Sequence, residues 1–203
     1  MRRHLFSLYL TLAVFKAVSQ TCVHTNLSQS LLFKTQPKRL KRTDGFDSCR
    51  VRITVLNKLR RQTAFTTTVA SGFLFSKAYE QCDAVRSYTT GAGQDAVIQD
   101  YDYGDLVVAD FNFDGKEDFA AKNDSGGNRG PTYSYYIQNS AGSFVVDDFL
   151  TERMSYFPER INKGSKTLTL ESDKAGYSFK TSYRLNPKTH KWLEINYKPL
   201  RLK

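Results

Sequence analysis

The chain reads as a mainly β protein, an antiparallel meander that is partly propeller-like or sandwich-like, with one strand–loop–strand site rich in side-chain oxygens. Three observations predict this class. Apolar and polar residues alternate with period two through much of the chain, the pattern of half-buried strands. Clusters of Asn, Asp and Gly punctuate those runs as turns. One cluster, residues 110–118, reads D-x-N-x-D-G-x-x-D and places an oxygen side chain at alternate positions before a glycine.

The elements follow in order. Leu31, Leu32 and Phe33 form an early strand. The basic run 37–42 reads as a solvated loop. Val51, Ile53 and Val55 alternate with Arg50, Arg52 and Thr54, and the Thr- and Phe-rich run 64–69 pairs with them. Residues 71–86 are ambiguous: 78–85 suits one short helical turn or an irregular strand. Leu106–Ala109 and residues 119–121 are short apolar runs suited to buried strands on either side of the acidic loop. Residues 132–138 and 143–147 flank Asn139-Ser140-Ala141-Gly142, a hairpin signal. Tyr133 and Tyr135 then share one face, with Ser134 and Tyr136 on the other. Residues 167–171 make a strand. Tyr177, Phe179, Thr181, Tyr183 and Leu185 line one face of the next, the turn 186–190 follows, and Leu193, Ile195 and Tyr197 alternate again. One copy of the acidic motif and no repeat period argue against a complete propeller.

The N-terminus has the form of a secretory signal over residues 1–19. Arg2 and Arg3 precede an apolar run from Leu5 to Phe15, and Ala17-Val18-Ser19 supplies small residues for cleavage. That run is shorter than the roughly 20 residues a bilayer needs. Residues 20–203 then form one β-rich domain, with 20–99 as its N-terminal part and 100–203 holding the acidic loop and the closing meander. The expected location is the periplasm or the exterior. Export permits a disulfide among Cys22, Cys49 and Cys82. The sequence leaves the pairing open, with Cys49–Cys82 favoured because Cys22 lies near a terminus.

Charge is segregated. Residues 20–77 carry eleven Lys/Arg and two Asp/Glu, residues 78–152 four and fourteen, and residues 153–203 twelve and four. The acidic block coincides with the loop, where packed carboxylates repel unless a cation compensates them. A calcium ion suits that loop because it takes six to eight oxygens in flexible geometry, whereas magnesium demands a strict octahedron. Asp110, Asn112, Asp114 and Asp118 are its predicted side-chain ligands, and Lys116 offers its carbonyl. An EF-hand is excluded because the twelfth position, where it needs a bidentate Glu, is Ala121.

Catalytic patterns are absent. There is no nucleophile elbow, zinc helix or phosphate-binding glycine loop. His24 and His190 read as solvent-facing. The acidic block resembles a carboxylate pair for glycoside hydrolysis, but its members are already cation ligands. The protein is therefore expected not to be an enzyme.

The order of the acidic loop, the glycine-rich stretch 125–130, the strand bearing Tyr133, Tyr135 and Tyr136, and the phrase 144–148 carries a resemblance. It looks like the exported calcium-binding immunity proteins of Gram-negative bacteria, related in fold to periplasmic lysozyme inhibitors and sharing an FG-GAP/VCBS-like calcium loop. The resemblance covers residues 100–197. It implies a calcium-binding periplasmic protein that inhibits a peptidoglycan-degrading enzyme, as an immunity protein or lysozyme inhibitor, by placing a loop in its cleft. The implied partner is a peptidoglycan hydrolase or secreted effector, not nucleic acid. Calcium would stiffen the inserted loop and lower the cost of ordering it. The first candidate is 124–133, because Gly126, Gly127 and Gly130 tolerate unusual backbone angles; the second is 172–177. Ser125, Gly126, Asn128, Arg129, Tyr133 and Tyr177 are the partner-binding residues this reading selects. The alternative is a non-catalytic module that binds cell-envelope glycan.

Overall fold

The computed structural model describes residues 20–40, 48–71, 82–127, 130–174 and 177–200. Residues 1–19, read from the sequence as a signal, lie outside them, as do Asn128 and Arg129. The described residues form three sheets. The first contains β1 (Cys22–His24), β2 (Leu31–Leu40), β3 (Ser48–Asn57) and β4 (Thr63–Ser71) in that spatial order. The second contains β5 (Val85–Ser87), β6 (Leu106–Ala109), β7 (Asp118–Asp124), β8 (Thr132–Gln138) and β9 (Phe144–Val146). The third contains β10 (Arg160–Asn162), β11 (Thr167–Lys174), β12 (Tyr177–Leu185) and β13 (Trp192–Leu200). The fold is mainly β, as its alternation predicts.

The second sheet is the middle layer, which explains its sequence. All four residues of β6 are buried, as are the first five of β7. A strand covered on both faces needs apolar side chains at successive positions rather than alternate ones. Val108, Phe119, Ala121 and Tyr136 face the first sheet, where they meet Phe33, Val51, Ile53 and Val55. Val107, Ala109, Ala120, Tyr133 and Tyr135 face the opposite way, toward Leu168 and Leu170 of β11. The opposed faces of Tyr135 and Tyr136 follow from the period of two. Phe119 lies at the centre of the first core: it stacks on Tyr136 with ring centroids 4.5 Å apart and meets Phe33 edge-on at 5.6 Å. Such pairs add specific geometry to the burial of large apolar surface.

The predicted pairing of β3 with β4 is present, with Val51 opposite Val69 and Val55 opposite Phe65. The hairpin at 139–142 joins β8 to β9. Four features differ from the sequence expectation. First, the part of the basic run 37–42 that is described is not a loop: Pro37 to Leu40 continue β2, with Pro37 opposite Val51, and residues 41 and 42 lie outside the described residues. Pro37 lies past the end of β1, where β2 has become an edge strand and a missing N–H is tolerated. Second, the meander is not wholly antiparallel, since β5 runs parallel to β6. The long segment 88–105 supplies the crossover that a parallel pair requires. Third, the disulfide joins Cys22 to Cys82, with Cα atoms 5.4 Å apart, and Cys49 is a buried thiol. Cys22 is not a loose terminus because β1 pairs with β2. Fourth, a π-helix spans Phe149–Met154, buries Leu150 and Met154 against β8, and ends where Ser155 adopts φ 58°. Among the described residues no helix is long and apolar enough to cross a membrane.

Candidate functional site

The acidic loop joins β6 to β7, so the buried strand β6 and the buried start of β7 anchor its two ends. Its turn is tight: Phe113 and Gly115 take φ 61° and 86°. The glycine makes the second of these free of strain. The Asp114 amide donates to Asp110 Oδ1 and to Asn112 Oδ1, each at 3.1 Å. The Gly115 amide donates to Asp110 Oδ2 at 3.0 Å, and the Lys116 amide to Asp114 Oδ1 at 2.9 Å. The loop thus folds around its own side-chain oxygens, which gather Asp110, Asn112 and Asp114 on one bend.

Asp118 plays a different part. It is fully buried, and its Oδ2 accepts from the Phe111 amide at 2.9 Å while Oδ1 accepts from the Gln138 amide at 2.8 Å. It ties the loop entrance to the end of β8. Glu117, which the sequence reading passed over, ties the loop to the first sheet. Its carboxylate accepts from the Ser28 hydroxyl, from the Gln29 amide at 2.9 Å and from the Ser30 hydroxyl at 2.9 Å. No motif signals this, because the partners are almost ninety positions away in sequence.

Electrostatics disfavour two of the three bare carboxylates, Asp110 and Asp118. Burial pushes Asp118 up to about 8, against the pull of two backbone amides, and the charges of Asp114 and Asp110 push the same way. Burial also raises Asp110, opposed by the amides of Gly115 and Asp114. For Asp114 burial acts upward too, but the Lys116 amide and ammonium together with Asn112 outweigh it and hold the group below its usual range. A divalent cation among these oxygens would favour every charged form. Among the described residues, no three His, Cys, Asp or Glu side chains are gathered closely enough to hold a metal ion. The reason is visible: Asp118 is turned toward amides, and Asn112 and the Lys116 carbonyl are the remaining donors. An ionised carboxylate has about four lone-pair sites, so an oxygen that accepts an N–H retains capacity for a cation. The donor set therefore fits a hard cation, with Asp110, Asn112 and Asp114 nearest to hand.

The loop 125–131 lies at the other end of β7. A seven-residue strand spans roughly 23 Å, so an ion in the acidic loop does not touch this second loop. Tyr133 is fully buried and its hydroxyl donates to the Gly104 carbonyl at 3.0 Å, which removes it from the partner-facing residues. Ser125 and Gly126 are half-buried, and Ser125 lines a cleft. The Tyr177 side chain, with Asn128 and Arg129, falls outside the described residues.

Beneath that cleft sits a charge pair the sequence did not announce. The Lys122 ammonium, 1 % exposed, lies 2.7 Å from Asp102 Oδ2 and 2.8 Å from Asp105 Oδ1. Asp105 is also buried, and neither of its oxygens accepts a well-aligned hydrogen bond among the described residues. Burial pushes Asp105 from 3.8 up to about 6 although Lys122 pulls it down. Between about pH 4 and 6 the folded protein then holds a proton that the unfolded chain has released, so this group's contribution to stability declines as pH rises through that window. The decline is on the order of 3 kcal/mol. Asp105→Asn is expected to lack it. Urea unfolding of both proteins at several pH values measures the difference; parallel profiles would refute the assignment.

His24 is buried rather than solvent-facing, with Nε2 3.3 Å from Thr35 Oγ1, and burial lowers its pKa. β1 holds it against β2, and its ring borders the same small space as Val85 and Leu106 of the middle sheet. His190 is exposed in the turn before β13, as predicted. Burial, then the charge of Asp105, pushes the Cys49 thiol up to about 11, which makes it a poor nucleophile. No family model matches the chain, and comparison with curated proteins and with solved structures yields no match.

Proposed function

We propose that this is an exported, non-catalytic, calcium-binding protein that inhibits a peptidoglycan-degrading enzyme. The carrying observation is the bend that gathers the oxygens of Asp110, Asn112 and Asp114 between two buried strands. The order of motifs over residues 100–197 supplies the class of partner. The fold supports a modified role for the ion. Glu117 and Asp118 lead from the bend into the first sheet and into β8, so a bound cation would brace the layers around Phe119 rather than the loop 125–131. The partner-facing loop would be braced by the fold itself.

Two measurements test this. Calcium that binds only the folded state stabilises by about 2.7 kcal/mol at a hundredfold excess over its dissociation constant. The wild type should show that gain in thermal melting, and Asp114→Ala should lose it. An equal response to calcium in both proteins would dismiss the site. Inhibition assays against a panel of peptidoglycan hydrolases and secreted effectors test the role. Stoichiometric inhibition of one member supports it, and retention on purified wall fragments without inhibition would replace it with the glycan-binding alternative.

A further inference from the structure

The first sheet turns one face to solvent. Alternation sends Phe33, Val51, Ile53 and Val55 into the core, so the residues between them point outward. On that outer face Lys38 stands opposite Arg50, Gln36 opposite Arg52 and Lys34 opposite Thr54. Thr68 and Thr66 of β4 extend the last two rows. Lys38, Arg50 and Arg52 are exposed. Arg50 and Arg52 lie about 7 Å apart along β3. The like charges of Lys38 and Arg50 face each other across the strands, a pairing that destabilises a sheet. The sheet supplies no carboxylate to relieve it: residues 20–40 and 48–71 contain eight Lys/Arg and no Asp or Glu. The adjoining segments 41–47 and 72–81 each carry as many acidic as basic residues, so they leave the sign of this patch unchanged. The third sheet is also rich in Lys and Arg, but Glu171 and Glu194 stand among its strands, and Lys180 pairs with Glu171 at 2.8 Å.

One end of the sheet carries an aliphatic tip. Asn57 Oδ1 accepts from the Leu59 and Arg60 amides, each at 3.0 Å, and fixes the turn between β3 and β4. Leu59 is 95 % exposed there, between Lys58 and Arg60. The aromatic side chains of β1–β4, Phe33 and Phe65, pack into the core. The outer face therefore offers neither the aromatic anchors of a protein interface nor a stacking platform for single-stranded nucleic acid. Its cations spread over two adjacent strands rather than along one line, an arrangement that matches a plane of phosphates. We infer that this face docks on an anionic phospholipid surface, with the Leu59 tip entering the headgroup layer. Lys and Arg draw a protein to such a surface, and an exposed aliphatic group among them adds contact at the acyl boundary. The charge that costs the sheet stability is the charge the headgroups neutralise. The inference goes beyond the inhibitor reading and does not rest on it.

The test is sedimentation of the full mature chain with vesicles of phosphatidylcholine, alone or mixed with phosphatidylglycerol in equal parts. A chelator is present so that calcium does not bridge protein to lipid. The mixed vesicles should bind the protein, the neutral ones should not, and binding should fall as salt rises. Arg50→Glu alters the face by two charges. It should weaken binding about 25-fold, roughly fivefold per charge. The new carboxylate would pair with Lys38, so the melting temperature should be unchanged or higher. Lys188→Glu, in the exposed turn before β13, changes the net charge equally and should bind like the wild type. Leu59→Ser should weaken binding to the mixed vesicles and leave any binding to soluble polyphosphate unchanged. Equal binding to neutral vesicles, no binding to either, equal losses in Arg50→Glu and Lys188→Glu, or a loss in Arg50→Glu that tracks a lower melting temperature would overturn the face. Undiminished vesicle binding by Leu59→Ser, or binding to polyphosphate alone, would overturn the lipid assignment. Vesicle binding without inhibition of any hydrolase leaves the face standing and removes only the inhibitor role.

Discussion

Lys122→Met is expected to cost about 3–5 kcal/mol, the range for stripping one partner from a buried ion pair. The size follows from what remains behind. Lys122 is the cation that lies 2.8 Å from the buried Asp105 and 2.7 Å from Asp102. Without it, Asp105 must take up a proton or stay charged in an apolar wall, and either is unfavourable at neutral pH. Urea denaturation reads the loss as a lower midpoint with an unchanged slope. The companion variant, Lys122→Met with Asp105→Leu, separates charge from packing. If the loss is the isolated carboxylate, the double variant should recover most of it, since buried pairs replaced by apolar side chains are often neutral. A double variant as unstable as the single one would place the cost in packing of the lysine stem. The pair also matters to the cleft above it, because Lys122 fixes Asp102 and the Asp102 carboxylate in turn accepts from the Gly104 amide at 2.9 Å.

What could be read from the sequence and what could not divides by range. The alternation of Val51, Ile53 and Val55 and the unbroken apolar run Leu106–Ala109 report burial directly, since each residue's face is set by its immediate neighbours. The acidic bend is equally local: its oxygens and its glycine lie within nine residues. The errors are all nonlocal. His24 looks like an exposed residue near a chain end until β1 is paired with β2, and Cys22 looks like a poor disulfide partner for the same reason. Tyr133 sits beside a glycine-rich loop and so reads as a contact residue, yet its ring belongs to the second core. Lys122 and Glu117 read as surface charges because lysine and glutamate usually are. Only the fold shows that one neutralises Asp105 and the other reaches residues 28–30. Likewise, the acidic bend and the loop 125–131 are neighbours in sequence but stand at opposite ends of β7, because a hairpin strand carries its two flanking turns apart by its own length.

Removing the disulfide is the second large effect. Cys22 and Cys82 are separated by 60 positions, and a loop of that length is expected to contribute about 4 kcal/mol by restricting the unfolded chain. The bridge does more than shorten that chain's freedom. β1 is only three residues long and joins its sheet through β2 alone, so few hydrogen bonds retain it. Cys82 fastens it to the chain just before β5, an edge strand of the middle sheet, and thereby stitches the first and second layers at their thinnest elements. Cys22→Ser/Cys82→Ser should therefore lower the unfolding free energy by about 3–5 kcal/mol and expose the β1 amides to rapid hydrogen exchange before the rest of the first sheet opens. If the His24 amide in the variant stayed as protected as those of Ile53 and Thr54 on the central strand β3, β1 would be held by packing instead. Cys49→Ala supplies the contrast, since it removes a thiol from the interior without opening any loop, and its effect should be confined to about 1 kcal/mol of lost contact.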